Sequence, residues 1–162
     1  NRYLYHSNSR NTIESCKEYV GSYDSFSDKA LIGVFERSSE LHLGNLTLSS
    51  VAREARSATV GVCLGRNGYG GKGYATEAMK TVCGFCFDQL ELHRIEAQLS
   101  VHNTSSLNLF IRSGFRVEGV RREADLVEGC RHSVYIMGLL ATDRAVDAIL
   151  TTPRNLQGPD SL

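Results

Sequence analysis

Four glycines crowd into six residues at Gly68-Tyr69-Gly70-Gly71-Lys72-Gly73, immediately before Tyr74-Ala75-Thr76-Glu77-Ala78. The run falls between an apolar stretch of strand character, Thr59 to Leu64, and a helix pattern from about Tyr74 to Leu90. A glycine-rich turn that opens a helix exposes several backbone N–H groups at the positive helix end, where phosphate oxygens are favoured. Glycine also lets an anion approach backbone that a larger side chain would block. The spacing therefore implies a phosphorylated ligand, and the flanking residues must say which one.

Three phosphate loops compete. The spacing Gly68-x-Gly70-x-x-Gly73 fits a dinucleotide fingerprint, but that fingerprint needs an acidic residue closing the next strand, roughly 20 residues on. Here the next strand, Arg94 to Val101, ends in His102-Asn103. A P-loop needs Ser or Thr after Gly-Lys, and Lys72 is followed by Gly73. A kinase glycine loop is followed by a strand that carries a lysine, whereas a helix pattern follows here.

The remaining fit is by resemblance. The words Gly71-Lys72-Gly73-Tyr74-Ala75-Thr76-Glu77-Ala78, Leu92-His93-Arg94-Ile95-Glu96-Ala97, Asn103-x-x-Ser106, Ser113-Gly114-Phe115 and Glu118-Gly119 stand in order along the chain. Together they resemble the RimJ/RimL-like branch of the GNAT N-acetyltransferases, from roughly Ala30 to Leu140. Gly73-Tyr74-Ala75 matches one half of that family's acyl-coenzyme A loop. Gly70 stands where the family has Gln or Arg.

The elements that must position these residues read as follows. Thr12 caps a helix running to about Tyr23. Lys29 to Glu36 and Leu41 to Leu48 form a hairpin across Ser38-Ser39-Glu40, and polar Ser49 to Arg56 connects it to Thr59 to Leu64. Arg94 to Val101 alternates, with Ile95, Ala97, Leu99 and Val101 apolar. A short helix spans Thr104 to Ser113. Strands Phe115 to Arg122 and Ser133 to Leu140 follow, joined by a hairpin at Glu128-Gly129. The expected class is α/β with a mixed sheet. The resemblance implies a GNAT fold with a splayed central sheet flanked by helices, lacking the family's usual N-terminal strand and helix. Residues 1–141 form that domain. Residues 142–162 form a short helix, Asp143 to Leu150, and a tail containing both prolines.

Composition excludes several classes. Eighteen basic residues balance eighteen acidic ones, so no charge field argues for nucleic acid or an anionic membrane. No apolar run approaches the ~20 residues of a bilayer span, and no signal-peptide pattern opens the sequence. Five scattered cysteines read as reduced thiols of a cytoplasmic protein. Cys83-x-x-Cys86 lies on the apolar face of its helix with no second Cys/His pair at zinc spacing, so both read as packing thiols, and no metal is expected. His93 and His132 read as solvated or locally bonded imidazoles.

The resemblance implies acetyl transfer from acetyl-CoA, a co-substrate, to a primary amine by direct attack in a ternary complex. The acceptor would be a protein N-terminus or a small amine such as an amino sugar, an aminoglycoside or a polyamine. Such transfer needs a neutral amine, donors for the developing oxyanion and a proton for the departing thiolate. By the same resemblance the backbones of Gly70, Gly71, Lys72, Gly73, Tyr74 and Ala75 hold the pyrophosphate, and Val62, Cys63 and Leu64 form the edge for pantetheine. Asn103 bonds pantetheine amides, or it or Thr104 caps the short helix. Ser106 protonates the thiolate, or merely sits in that helix's first turn. Phe110 stands about where many members carry a tyrosine acid, and Ser133 where an aspartate is frequent. Asp125 is the expected base, with Glu118, Glu123 and Glu128 as competitors. A homodimer is left open. The competing class is a non-catalytic acyl-CoA-binding or interaction module.

Overall fold

The computed structural model describes residues 12–23, 28–65, 68–127 and 129–144. Helix α1 (Ile13–Gly21) starts at Thr12, whose hydroxyl oxygen accepts the Ser15 N–H at 3.1 Å. It buries no residue and leaves Ile13 and Val20 exposed. Strand β1 (Ala30–Glu36) pairs antiparallel with β2 (Leu41–Ala52), and β2 pairs antiparallel with β3 (Ser57–Leu64). Helix α2 (Tyr74–Asp88) leads into β4 (Arg94–Ser100), and α3 (Thr104–Arg112) into the long hairpin β5 (Arg116–Val127) and β6 (Cys130–Leu140). Among the described residues the six strands form one sheet in the order β1-β2-β3-β4-β6-β5.

The expected helices and strands between Thr12 and Leu140 are present, with corrections of extent, among them an earlier start of β6 at Cys130 where Ser133 was expected. The polar segment after Leu48 is not a plain connection. β2 continues to Ala52, and a register shift between Ser49 and Ala52, with Ser50 at φ 50°, carries the ladder on to Ala52↔Ser57. A bulge absorbs the extra residue, which is why alternation fades there in sequence. β5 likewise runs past Arg122 to Val127, through a second irregularity between Arg121 and Asp125. The joining turn keeps Gly129 at φ 79°, while Glu128 lies outside the described residues. Residues 141–144 form a helical turn. The rest of the expected terminal helix and the tail also lie outside the described residues.

One apolar cluster welds the sheet to α2 and α3. Leu46, Leu48, Ala58, Val60, Ile95, Ala97, Leu99, Met137 and Leu139 come from the strands, and Met79, Val82, Cys83, Cys86 and Phe87 from α2. The alternation read in β4 is realised. Ile95, Ala97 and Leu99 are buried, while Arg94, Glu96 and Gln98 stand on the other face. At a cost of about 2–5 kcal/mol for truncating one fully buried side chain, this cluster fixes how α2 lies across the sheet. It thereby fixes where the glycine loop, at the start of α2, must sit.

Candidate active site

The central feature is a gap in the sheet. β3 and β4 run parallel but pair only at Ser57↔Arg94, Ala58↔Ile95 and Thr59↔Glu96. Beyond that point β3 continues to Leu64 on β2 alone, and β4 continues to Ser100 on β6 alone. The two halves splay, and among the described residues the β3–β4 ladder does not extend over Val62, Cys63 and Leu64. The edge is held from behind by Gly44, which pairs with Leu64 at φ 149°. A Cβ there would run into the Cys63 carbonyl oxygen, so only glycine lets β2 approach this closely.

The glycine loop lies at the open end of this gap. Gly73, at φ 89°, is the N-cap of α2 and offers no side-chain cap. The first helical hydrogen bond is Glu77 N–H to the Gly73 carbonyl at 3.0 Å. The N–H groups of Tyr74, Ala75 and Thr76 therefore have no helical acceptor, the condition that favours an anion. A Cβ on Gly70, Gly71 or Gly73 would meet nothing within 4 Å, so the space over the loop is open. Lys72 holds its ammonium 4.7 Å from the ring centroid of Tyr69.

On the far side of the gap stands α3. Asn103 caps it, its Oδ1 accepting the Ser106 N–H at 3.1 Å. The capping reading of this motif thus holds, and Asn103 rather than Thr104 is the cap. The Asn103 NH2 is left over as a donor, and the half-buried Ser106 hydroxyl has no bond among the described residues. Phe110 is buried edge-to-face on Phe115, with ring centroids 5.0 Å apart, and belongs to the core.

Asp125 sits on β5 opposite His132 of β6, and its Oδ1 accepts the N–H of neighbouring Leu126 at 3.0 Å. His132 meets His102 edge-to-face at 5.2 Å, so Asp125 belongs to the same end of the sheet as Asn103. Ser133 has a structural task there, for its hydroxyl accepts the Glu123 N–H at 3.1 Å and pins the bulge. Glu118 is not available as a base. Arg94 grips it with both terminal nitrogens, Nη1 donating to Oε1 at 2.8 Å, and also donates from Nε to Glu96 at 2.7 Å. The guanidinium holds the Glu118 carboxyl below its usual range. His93 lies exposed at the opposite end of β4, its backbone N–H bonded to the Arg56 carbonyl.

The Cys83 and Cys86 thiols are buried in α2, and burial pushes them up to about 12 and about 11. They are packing groups. Among the described residues no group of His, Cys, Asp and Glu could hold a metal ion, and no helix is long and apolar enough to cross a membrane.

A splayed parallel pair beside an uncapped, glycine-opened helix is the arrangement that the sequence resemblance implied. Residues 1–116 match the family model described as "Acetyltransferase (GNAT) domain". The chain belongs to the GNAT acetyltransferase family. Among its curated relatives, "Probable N-acetyltransferase YjcK" of Bacillus subtilis is 29% identical over 136 residues, covering 82% of this chain and 75% of that protein. "Uncharacterized N-acetyltransferase p20" of Bacillus licheniformis is 34% identical over 103 residues, 64% of this chain and 57% of that protein. Of solved structures, the spermidine N-acetyltransferase of Vibrio cholerae in complex with CoA and spermine superposes with a TM-score of 0.75. It shares 21% identity over 83% of this GNAT chain and 78% of its own.

The sequence reading missed Glu36, at the end of β1. Its carboxylate accepts the Tyr74 O–H at 2.8 Å and lies 3.5 Å from the Tyr69 hydroxyl. Nothing local signals this, because the partners are 38 residues apart.

Proposed function

We propose that this GNAT domain transfers the acetyl group of acetyl-CoA to a primary amine by direct attack, with both substrates bound together. The observation that carries the reading is the gap between β3 and β4, opening onto the uncapped start of α2. Val62, Cys63 and Leu64 present a strand edge that suits the amides of pantetheine, bound as an added strand. The backbone of Gly70, Gly71, Lys72, Gly73, Tyr74 and Ala75 suits a pyrophosphate, and Lys72 adds a positive charge. Bound there, acetyl-CoA supplies the activated acetyl group. A β3 N–H facing the gap polarises its carbonyl, in the manner of an oxyanion hole.

Asn103 spends its carbonyl on the helix cap and keeps its NH2 to donate to pantetheine. Ser106 gives a proton to the departing thiolate, since Phe110 is a buried core ring without a proton to give. Asp125 takes the ammonium proton, directly or through water, because Glu118 is held by Arg94.

The acceptor classes with support are a short polyamine, from the shared fold with a spermidine N-acetyltransferase, and a protein N-terminal amine, from the RimJ/RimL-like sequence words. None of the five cysteines is in a disulfide, which fits the cytoplasm. The test is release of free thiol from acetyl-CoA with spermidine, an amino sugar, an aminoglycoside and a peptide with a free N-terminus. Amine-dependent, saturable release supports the transferase. Acetyl-CoA binding with no amine-dependent release refutes it and favours the non-catalytic acyl-CoA module, the reading that the loss of a tyrosine acid at Phe110 keeps in view.

A further inference from the structure

We propose that Glu36 is a positioning residue for the phosphate-facing loop, tethering Tyr74 and Tyr69 so that the first turn of α2 and Lys72 are set before the cofactor arrives. The proposal rests on the acyl-CoA reading of that loop. Tyr74 is the first residue of α2, directly after the left-handed Gly73, and its hydroxyl donates to Glu36 Oε1 at 2.8 Å. Tyr69 opens the loop, and its hydroxyl reaches Glu36 Oε2 at 3.5 Å. The two rings stand 5.9 Å apart, and Lys72 lies over the Tyr69 ring. One carboxylate on a paired strand therefore reaches both ends of Gly70–Gly73, the segment with the most backbone freedom to lose.

A carboxylate beside an anion site repels the anion unless a cation offsets its charge, and here the Lys72 ammonium is near enough to act on Glu36. Ser39 donates to Oε2 from the β1–β2 turn, and Tyr74 donates to Oε1. These bonds, with the nearby Lys72 charge, hold the Glu36 carboxyl below its usual range. The hydroxyl bonds thus order the loop and leave Glu36 ionised, Lys72 offsets its charge, and the orphan N–H groups of the helix start remain for the ligand. Preorganisation of this kind raises affinity by removing ordering cost at the moment of binding.

The experiment compares wild type with Glu36→Ala, Glu36→Gln, Tyr74→Phe and the Glu36→Ala/Tyr74→Phe double variant. It reads acetyl-CoA affinity by calorimetry, KM and kcat in the thiol-release assay, and amide hydrogen exchange across residues 68–77. Glu36→Ala is expected to weaken binding and raise the acetyl-CoA KM about tenfold, with kcat at saturation within about twofold and with faster exchange at the loop. Glu36→Gln, which keeps a carbonyl acceptor for Tyr74, recovers most of the affinity. The double variant is no worse than the worse single one, because both remove the same tether. Wild-type affinity and exchange in Glu36→Ala, or losses that add in the double variant, overturn the role. A wild-type protein that does not bind acetyl-CoA overturns the acyl-CoA reading itself, and this role with it.

Discussion

Replacing Gly73 by valine separates backbone strain from ligand binding, provided Gly68→Val is measured beside it. Both glycines are left-handed, at φ 89° and φ 83°, and a Cβ on either meets nothing within 4 Å. In neither variant does the added Cβ therefore meet the rest of the described protein. A side chain at such φ costs about 1–2 kcal/mol, offset by about 0.4–1 kcal/mol because valine has less freedom to lose on folding. The net is roughly 1 kcal/mol, or about 2–4 °C in Tm for a domain of this size, and it should be similar for the two. Binding should not be similar. Gly73 is the cap of α2, and its new methyls would stand before the N–H groups of Tyr74, Ala75 and Thr76. Losing two hydrogen bonds to a charged phosphate costs about 1.5–3 kcal/mol each, hence a Kd for acetyl-CoA weakened by more than about 100-fold.

Gly68 lies before the segment assigned to the pyrophosphate, so Gly68→Val should bind within a few-fold of wild type. Thermal melts and calorimetry on both variants check this. If Gly73→Val folds and binds acetyl-CoA normally, the helix start is not the phosphate site. If Gly68→Val loses as much affinity, the effect is general loop strain and the reasoning from orphan N–H groups fails.

Ser106→Ala should lower kcat about 10–100-fold with little change in acetyl-CoA binding, and Asp125→Asn should move the acid limb of the pH–rate profile; wild-type turnover in the first reduces Ser106 to a helix-start residue. Alkylation at pH 8 should label the exposed Cys16 and Cys130 quickly and spare Cys83 and Cys86, which burial holds at about 12 and about 11, until the protein is denatured, as mass spectrometry would show. Glu118 has its folded value lowered by Arg94, so its contribution is present above the ordinary carboxyl range and is lost as pH falls through the lower folded value. Glu118→Gln should thus cost about 0.5–1 kcal/mol at pH 7, an exposed bidentate pair being worth no more, and progressively less as pH falls through the folded carboxyl value, as urea unfolding over a series of acid pH values would report.

What was legible in the sequence is what local pattern encodes. The β4 alternation, the apolar face of α2 and the glycine loop each appear within a dozen residues. The distal half of β5 was not legible because an edge strand exposed on nearly every position has no buried face to impose a period. The loss of Glu118 as a base needed the Arg94 pairing across 24 residues, and the Glu36 tether needed contact across 38. The cap at Asn103 was readable as one of two alternatives, and only the Oδ1-to-Ser106 geometry chose between Asn103 and Thr104.

The splay itself has a physical cause in how each half is satisfied. β4 pairs with β6 along its whole length, from Arg94↔Leu140 to Ser100↔Val134, and β3 pairs with β2 out to Leu64. At the closed end the halves are locked. The His93 and Arg94 N–H groups both reach the Arg56 carbonyl, and the Arg56 side chain donates to the Glu91 carbonyl at 2.6 Å. Ile95, Ala97 and Leu99 are buried in the same apolar cluster as the inner face of α2, so moving β4 would disturb that core. Each half is therefore held on its outer side, and among the described residues the β3–β4 ladder does not continue past Thr59↔Glu96. Backbone groups along such a gap favour a partner that can hydrogen-bond them. A chain of amides that fits the gap completes the sheet, so its binding free energy adds to folding stability by mass action. Site and fold are then one object. A substitution that closed the ladder beyond Thr59↔Glu96 should raise stability of the free protein while removing the edge at Val62–Leu64 that is proposed to receive the acyl donor.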